Sequence, residues 1–229
     1  NVTGGTQPDR SVNNNAINVT GTIAKTAVAT GADLVAYSGF SDGTNYLFQP
    51  YNSDLDFGTG DFSIMLWFKT PDKSVAGTLF HRSSSNFGDG SWATNAVIQI
   101  EFNTSSLFGL VGTDGFSVNS GPTVPLTALS NDVWHQYAMV RRSGRIAGYI
   151  DGKFIADAAN VLTTTNTTAK FYIGERPVAS RVFNGSLALF RISATAPSAE
   201  QIAKIYNDEK FLFQENAKAT LYGSSDAVT

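Results

Sequence analysis

The stretch HRSSSNFGDGSWATN, residues 81–95, sets one large ring, Trp92, among neighbours too small and polar to bury it. Its Ser, Asn, Asp and Gly content makes it a loop. On such a loop a ring can do chemistry. An aromatic face packs against the C–H side of a sugar, while amide, carboxylate or guanidinium groups bond the hydroxyls. Trp92 with Asn86, Asp89 and Arg82 supplies both kinds of group, and these four are the candidate ligand-binding residues. Two other arrangements stay open on the same residues. Trp92 can fold back as an apolar latch that anchors the loop, or it can meet a second subunit or another protein.

No catalytic pattern accompanies this loop. The chain has no G-x-S-x-G elbow, no H-E-x-x-H pair and no phosphate-binding G-x-x-x-x-G-K-[ST]. His81 and His135 lie far apart, and each reads as a strand-edge hydrogen-bonding residue rather than a base or metal ligand. Gly58 and Gly60 precede a strand, whereas a phosphate loop follows a strand and opens a helix, so they read as a turn. Asp54, Asp56 and Asp61 crowd one stretch, but Leu55 and Phe57 interleave and no calcium-loop register follows. They too read as a turn before a strand. Cysteine is absent, which removes disulfides, thiol catalysis and thiolate metal sites.

The bulk numbers narrow the class of protein. The 229 residues suffice for one large β domain or two small ones with a sizeable core. Charged residues make up only 15% and the surface types are Ser, Thr, Asn and Gly, as in a β-rich protein. A net charge of -3 argues against a nucleic-acid partner, which needs a basic stripe against phosphates. Arg141, Arg142 and Arg145 do cluster, but around a hairpin turn, where a solvated turn is the expectation. No apolar run reaches the ~18 residues of a membrane span, so no membrane insertion is expected. The first residues lack the basic and apolar regions of a signal peptide, and no Met starts the chain, which suggests a piece of something longer.

These residues must be positioned by strands. From Leu34 onward, short β-branched and aromatic runs alternate with turn clusters such as Ser41-Asp42-Gly43, Ser143-Gly144, Asp151-Gly152 and Asn184-Gly185. Many short strands without intervening helices predict an all-β, antiparallel two-sheet sandwich. The segment 134–153 is a meander, with Ser-Gly and Asp-Gly links joining three strands. Its first strand is apolar on both faces and belongs in mid-sheet. Trp67 and Trp134 fall in or at such strands and read as core. One short C-terminal helix is predicted, opened by the capping box Ser198-Ala199-Glu200-Gln201 and carrying Ile202, Ile205 and Tyr206 on one face. The organisation is then an N-terminal arm (1–33) packing on the main domain or a partner, the domain (34–210), and a connecting segment (211–229). Phe211, Phe213, Leu221 and Tyr222 in that last segment point to further sequence or another subunit.

With Leu55 to Phe68, Trp134 to Lys153, Gly174, and Gly185 to Ile192 followed by Ser198 to Tyr206, the chain resembles the laminin-G-like, concanavalin-A-like jelly-roll superfamily. The resemblance implies a jelly roll over about residues 35–210. Glucanases of this fold carry two glutamates on one strand. Here only Glu101 lies within a sandwich strand, without a second acid, so no enzyme is expected. Laminin-G-like relatives often bind calcium through an early Asp and a second near the last strand. Asp9 fits the first place, but Ala188 stands at about the second, which disfavours calcium, and no other cofactor is expected. The segments 33–69 and 185–229 are also similar to jelly-roll segments of bacteriophage and prophage virion proteins, especially tail-associated ones. That resemblance implies a non-catalytic, extracellular virion domain that recognises a host-surface glycan. Its alternative is a structural virion component, for decoration or tail assembly, that binds only other virion proteins. An oligomer fits either reading, although no coiled-coil heptads appear.

Overall fold

The computed structural model describes residues 1–84, 96–113, 118–177 and 181–218. Trp92, Asn86 and Asp89 lie outside the described residues. The N-terminal region forms β1 (Val2–Thr3), β2 (Thr6–Gln7), β3 (Ile17–Thr20) and β4 (Thr22–Ala27). There follow β5 (Val35–Ser38), β6 (Tyr46–Gln49), β7 (Phe62–Lys69), β8 (Gly77–Ser83), β9 (Ala96–Phe102) and β10 (Ser106–Thr113). Next come β11 (Val118–Ser120), β12 (Thr123–Pro125), β13 (His135–Arg142), β14 (Arg145–Ile150) and β15 (Lys153–Ala159). The last elements are β16 (Lys170–Ile173), β17 (Ser186–Ser193) and α1 (Ala199–Glu209).

The strands make two antiparallel sheets, one of eight in the order β1-β4-β5-β17-β7-β13-β14-β15. The other has nine, in the order β11-β10-β9-β8-β16-β6-β3-β2, with β12 also on β10. This is the expected all-β jelly-roll sandwich with one short C-terminal helix. Alternation decides what faces inward. Phe62, Ile64, Leu66 and Phe68 of β7 meet Phe80, Ile98, Ile100 and Phe102 of β8 and β9, all fully buried in one core. The β13–β14 and β14–β15 hairpins turn at Ser143-Gly144 and Asp151-Gly152, where all four residues have positive φ. That is the two-residue hairpin conformation that matches strand twist.

The outer face of the eight-stranded sheet is apolar and covered. Met65, Ala138, Val140 and Tyr149 pack with Ile202, and with the half-buried Ile205 of α1. Trp67, 2% exposed, stacks on Tyr206 at 5.5 Å and on Phe213 at 4.2 Å between centroids. Its indole N–H donates to Glu209 at 2.7 Å, and Arg191 holds the same carboxylate. The capping box forms as expected, with Ser198 Oγ accepting from Gln201 N and Gln201 Oε1 from Ser198 N. Phe213, expected to lead away from the domain, turns back onto Trp67 and Trp134. Only a covered indole explains this, because Trp67 alone would leave a large ring bare outside the sheet.

Residues 1–33 are more than an arm. β1 and β4 belong to the eight-stranded sheet and β2 and β3 to the nine-stranded one, so this region spans both layers. The apolar pair Ile17–Val19 and Ile23 therefore does not form a hairpin within one sheet.

Two arginines depart from the sequence reading. Arg141 was expected in a solvated turn, yet it is fully buried. Its guanidinium donates to the carbonyls of Gly60, Leu162 and Gly58 at 2.6–2.7 Å and lies 4.8 Å from the Phe62 ring centre. Arg82 is 1% exposed and shares the inward face with Phe80 and Phe171. It donates to the Asp56 carboxylate at 2.5 Å and to the Thr164 carbonyl at 2.8 Å. Asp56 also accepts from Asn166 N and Tyr51 Oη, so it is the counter-charge of a buried cation. Removing that carboxylate leaves Arg82 charged and uncompensated. Asp56→Ala is expected to lower folding stability by about 3 kcal/mol, read by urea denaturation, at unchanged m-value.

Candidate functional site

The outer face of the nine-stranded sheet is unlike its counterpart. Register places Tyr172 of β16 opposite Phe48 of β6 on one side and His81 of β8 on the other, and His81 opposite Gln99 of β9. Phe80, Ile100 and Ile173 point inward, so Tyr172, His81 and Gln99 point out. The β6–β16 end of this row is aromatic. Tyr46, Phe48 and Tyr172 have ring centres 5.8–6.4 Å apart. The β8–β9 end is polar. The Glu101 carboxylate accepts from Thr78 Oγ1 and Gln99 Nε2, each at 2.6 Å. Arg176 lies 3.3 Å from Glu101 Oε2 and Arg181 4.0 Å from Oε1. His81 Nε2 pairs with Ser83 Oγ at 2.9 Å.

Thr78, His81, Ser83, Gln99, Glu101 and Arg176 are at least 97% buried, whereas the Arg181 side chain is 35% exposed. His81 Nδ1 and Gln99 Oε1 make no hydrogen bond of good geometry among the described residues, but the two side chains stand opposite each other, and Gln99 acts on the imidazole as a hydrogen-bonding neighbour. Burying such a polar row is costly unless its groups pair with one another, and Tyr172 beside it is as deeply buried as they are. Burial, and after it the Arg176 charge, holds the His81 imidazole down to about 3, so it is neutral at physiological pH. Burial raises Glu101 above the ordinary carboxylate range, against the pull of Arg176, Thr78, Arg181 and Gln99.

A second buried acid stands just past β16. Gly174 adopts φ +84° with the Phe40 ring where a Cβ would be, at 2.1 Å, which turns the chain out of the sheet. The next residue, Glu175, is fully buried and accepts from Gly43 N at 2.7 Å. Burial pushes its carboxyl up to about 8, and the Asp42 carboxylate beside it adds to the rise.

Of the four residues expected to bind ligand, Asn86, Asp89 and Trp92 lie in the connection between β8 and β9, outside the described residues. Arg82 points into the sandwich, away from the outer face, with its guanidinium held by Asp56. The residues the sequence reading missed are Tyr46, Phe48, Tyr172, Gln99 and Arg176. One signal was available. Tyr46-Leu47-Phe48-Gln49 and Phe171-Tyr172-Ile173 are bulky at both phases of the strand period, although no helical segment follows to cover a second face there. The acids read as turns are turns: Asp61 accepts from Ser143 N, and Asp9 from Ser11 N and Asn15 N. Among the described residues no three His, Asp or Glu side chains converge as metal ligands. His135, set between Asp151 and Ser130 N, serves the β13–β14 hairpin.

A two-layer antiparallel jelly roll with a helix sealing one outer face is a lectin-type fold. The family model described as the concanavalin A-like lectin/glucanases superfamily matches residues 41–203, and the chain belongs to that family. No curated protein sequence matches it. Among solved structures it is similar to the binding domain of Paraclostridial Mosquitocidal Protein 1, at TM-score 0.65 and 16% identity, over 88% of this chain and 49% of that one. It is similar also to the botulinum neurotoxin serotype G binding domain, at TM-score 0.66 and 11% identity, over 88% and 48%. A third is the binding domain of botulinum neurotoxin DC solved with rat synaptotagmin II, at TM-score 0.59 and 13% identity, over 90% and 51%. The chain spans about half the length of these domains, and likeness at such identity speaks for the fold alone.

The two buried titrating groups give stability opposite pH slopes. The folded chain keeps His81 neutral where an unfolded chain protonates it, so its contribution falls as pH drops from 6.5 toward about 3. The folded chain keeps Glu175 protonated where an unfolded chain ionises it. Its contribution falls as pH rises from 4.5 to about 8 and is level above that. Glu175→Gln is expected to gain on the native chain by up to about 1.4 kcal/mol per pH unit across that window, measured by denaturation at stepped pH.

Proposed function

We propose that this domain is a non-catalytic binding module of a bacteriophage particle that recognises a host-surface glycan. The observation that carries the reading is the pair of half-buried rings, Tyr46 and Phe48, with centres 5.8 Å apart on the outer face at β6, in a fold of the concanavalin A-like lectin/glucanases superfamily. Rings supply apolar contact to sugar C–H groups. Trp92, Asn86 and Asp89, in the sequence between β8 and β9, supply a further ring with an amide and a carboxylate. Binding of this kind needs no cofactor. It also needs no reaction: Glu101 is engaged by Thr78, Gln99 and Arg176, and neither neighbour opposite its strand position, Thr78 or Phe108, is an acid. Retaining hydrolysis calls for a second carboxyl about 5 Å away. The virion setting rests on the resemblance of segments 33–69 and 185–229, and places the domain outside the cell on a particle.

A second reading has one observation in its favour. Phe211 is 56% exposed just beyond the helix. A structural virion domain that contacts only other virion proteins would use such a ring. Binding of the purified chain to host-type surface polysaccharide separates the two, run beside Trp92→Ala and Phe48→Ala. Recognition predicts saturable binding that each variant weakens at least tenfold while keeping its fold. No binding by the native chain, with Trp92→Ala lowering only the melting temperature, makes Trp92 a latch and the domain a structural piece.

A further inference from the structure

Beyond its rings, the outer face of the nine-stranded sheet runs on over two short strands, β3 and β2. Val19 of β3 and Leu47 of β6 lie in the core, so Asn18, Thr20, Tyr46 and Phe48 point outward. Register sets Thr6 of β2 opposite Asn18, Asn18 opposite Phe48, and Thr20 opposite Tyr46. A hydroxyl, an amide and a ring thus stand in one row across three strands, with a second hydroxyl and ring beside it. Unlike the β8–β9 end of the sheet, this patch is open: Thr6 is exposed, and Asn18, Thr20, Tyr46 and Phe48 are only half-buried. Tyr172, 3% exposed, closes the row beyond Phe48.

Asn18 is out of place by the rules of a strand. Asparagine is depleted there, because its short amide competes with the ladder for backbone partners. Here it makes no such bond: the side chains of Asn18, Thr20 and Thr6 form no hydrogen bond among the described residues. Their donors and acceptors are left for solvent or a ligand. No charge lies in the row. Of the charged residues flanking it along the chain or in register, Arg10, Asp42 and Lys170 each have an interaction of their own, Asp9 is held by Ser11 and Asn15, and Glu175 is fully buried.

We infer that the glycan bound on this patch is uncharged and rich in hydroxyls, that it lies across the strands, and that Asn18 is the residue that reads it. The inference rests on the glycan-recognition reading above and names the ligand class and a specificity-determining residue. A sugar hydroxyl both donates and accepts, and an amide or another hydroxyl offers both in return. Phe48 gives the neighbouring sugar an apolar floor. Strands lie about 4.8 Å apart, so the row from Thr6 to Phe48 is about 10 Å long, more than one sugar ring covers. A carboxylate or phosphate laid on the same row would lose its water with no cation in the row to meet it.

The test is calorimetric titration of the whole chain with four polysaccharides: dextran, mannan and galactan, which are uncharged, and polygalacturonate, which is acidic. The inference expects an uncharged probe to bind more tightly than polygalacturonate, with an affinity that changes less than twofold between ~0.05 and ~0.5 M salt. Asn18→Ala is expected to weaken that binding at least tenfold without lowering the melting temperature, since the side chain holds nothing within the fold. Thr26→Ala, at an exposed strand position of the other sheet, is expected to change neither. Preference for polygalacturonate, or an affinity that falls steeply with salt, overturns the uncharged class and leaves glycan recognition standing. Native affinity in Asn18→Ala overturns the role given to Asn18, and a melting temperature lowered along with the affinity makes it a structural residue instead. Binding of none of the four counts against both the inference and the reading beneath it.

Discussion

Two buried guanidiniums close one end of the sandwich, and the rest of the molecule is arranged around them. Arg82 comes from the nine-stranded sheet and Arg141 from the eight-stranded one. Between them they hold the carbonyls of Gly58, Gly60, Leu162 and Thr164, together with the Asp56 carboxylate. The chain crosses there from β15 to β16 without regular hydrogen bonding. Its carbonyls would otherwise be buried without donors, at a cost comparable to a lost hydrogen bond for each. Arginine suits the task because one rigid group serves several acceptors at once and stays charged when desolvated. A closed end lets the strands run straight into the core, and it leaves both sheets with a defined inside.

What each sheet does with its outside then differs. On the eight-stranded sheet, Trp67, Met65 and Val140 make that face as apolar as a core, and α1 with Phe213 covers it. Glu209 ties the cover down by accepting from Trp67, Gln136 and Arg191. The nine-stranded sheet has no helix over it among the described residues. Its outer face mixes rings with buried polar groups, among them Tyr172, His81, Gln99 and Glu101. The two outer faces thus differ in kind: one is apolar and sealed by a helix, the other is held by hydrogen bonds and ion pairs.

The strands were legible where periodicity was clean. The meander of 134–153 forms as β13, β14 and β15, with its two turns at Ser143-Gly144 and Asp151-Gly152 as expected. The capping box at Ser198 marked α1 for the same reason: its signal is local. What could not be read depended on distant partners. Arg82 on a polar loop's shoulder looks available until Asp56, far back in the chain, is brought to it by the fold. Arg141 beside a turn looks solvated until the crossing segment folds over it. The outer-face site joins residues from β6, β8, β9 and β16, and no local pattern announces such a set. Two-residue strands such as β1 and β2 fall below any periodicity at all.

The position of β17 sets when this protein can acquire its shape. Residues 186–193 lie between β5 and β7, bonded to Tyr37 on one side and to Phe68 on the other. Until that strand leaves the ribosome, β5 and β7 have a gap between them and the eight-stranded sheet exists as two unjoined parts. The core can therefore shut only once residue 193 has been made, and the contacts that shut it join strands far apart in sequence, a topology associated with slow folding. During that interval the apolar flanks of β5 and β7 are exposed to any neighbouring nascent chain. The bottleneck is the time spent waiting for one late strand.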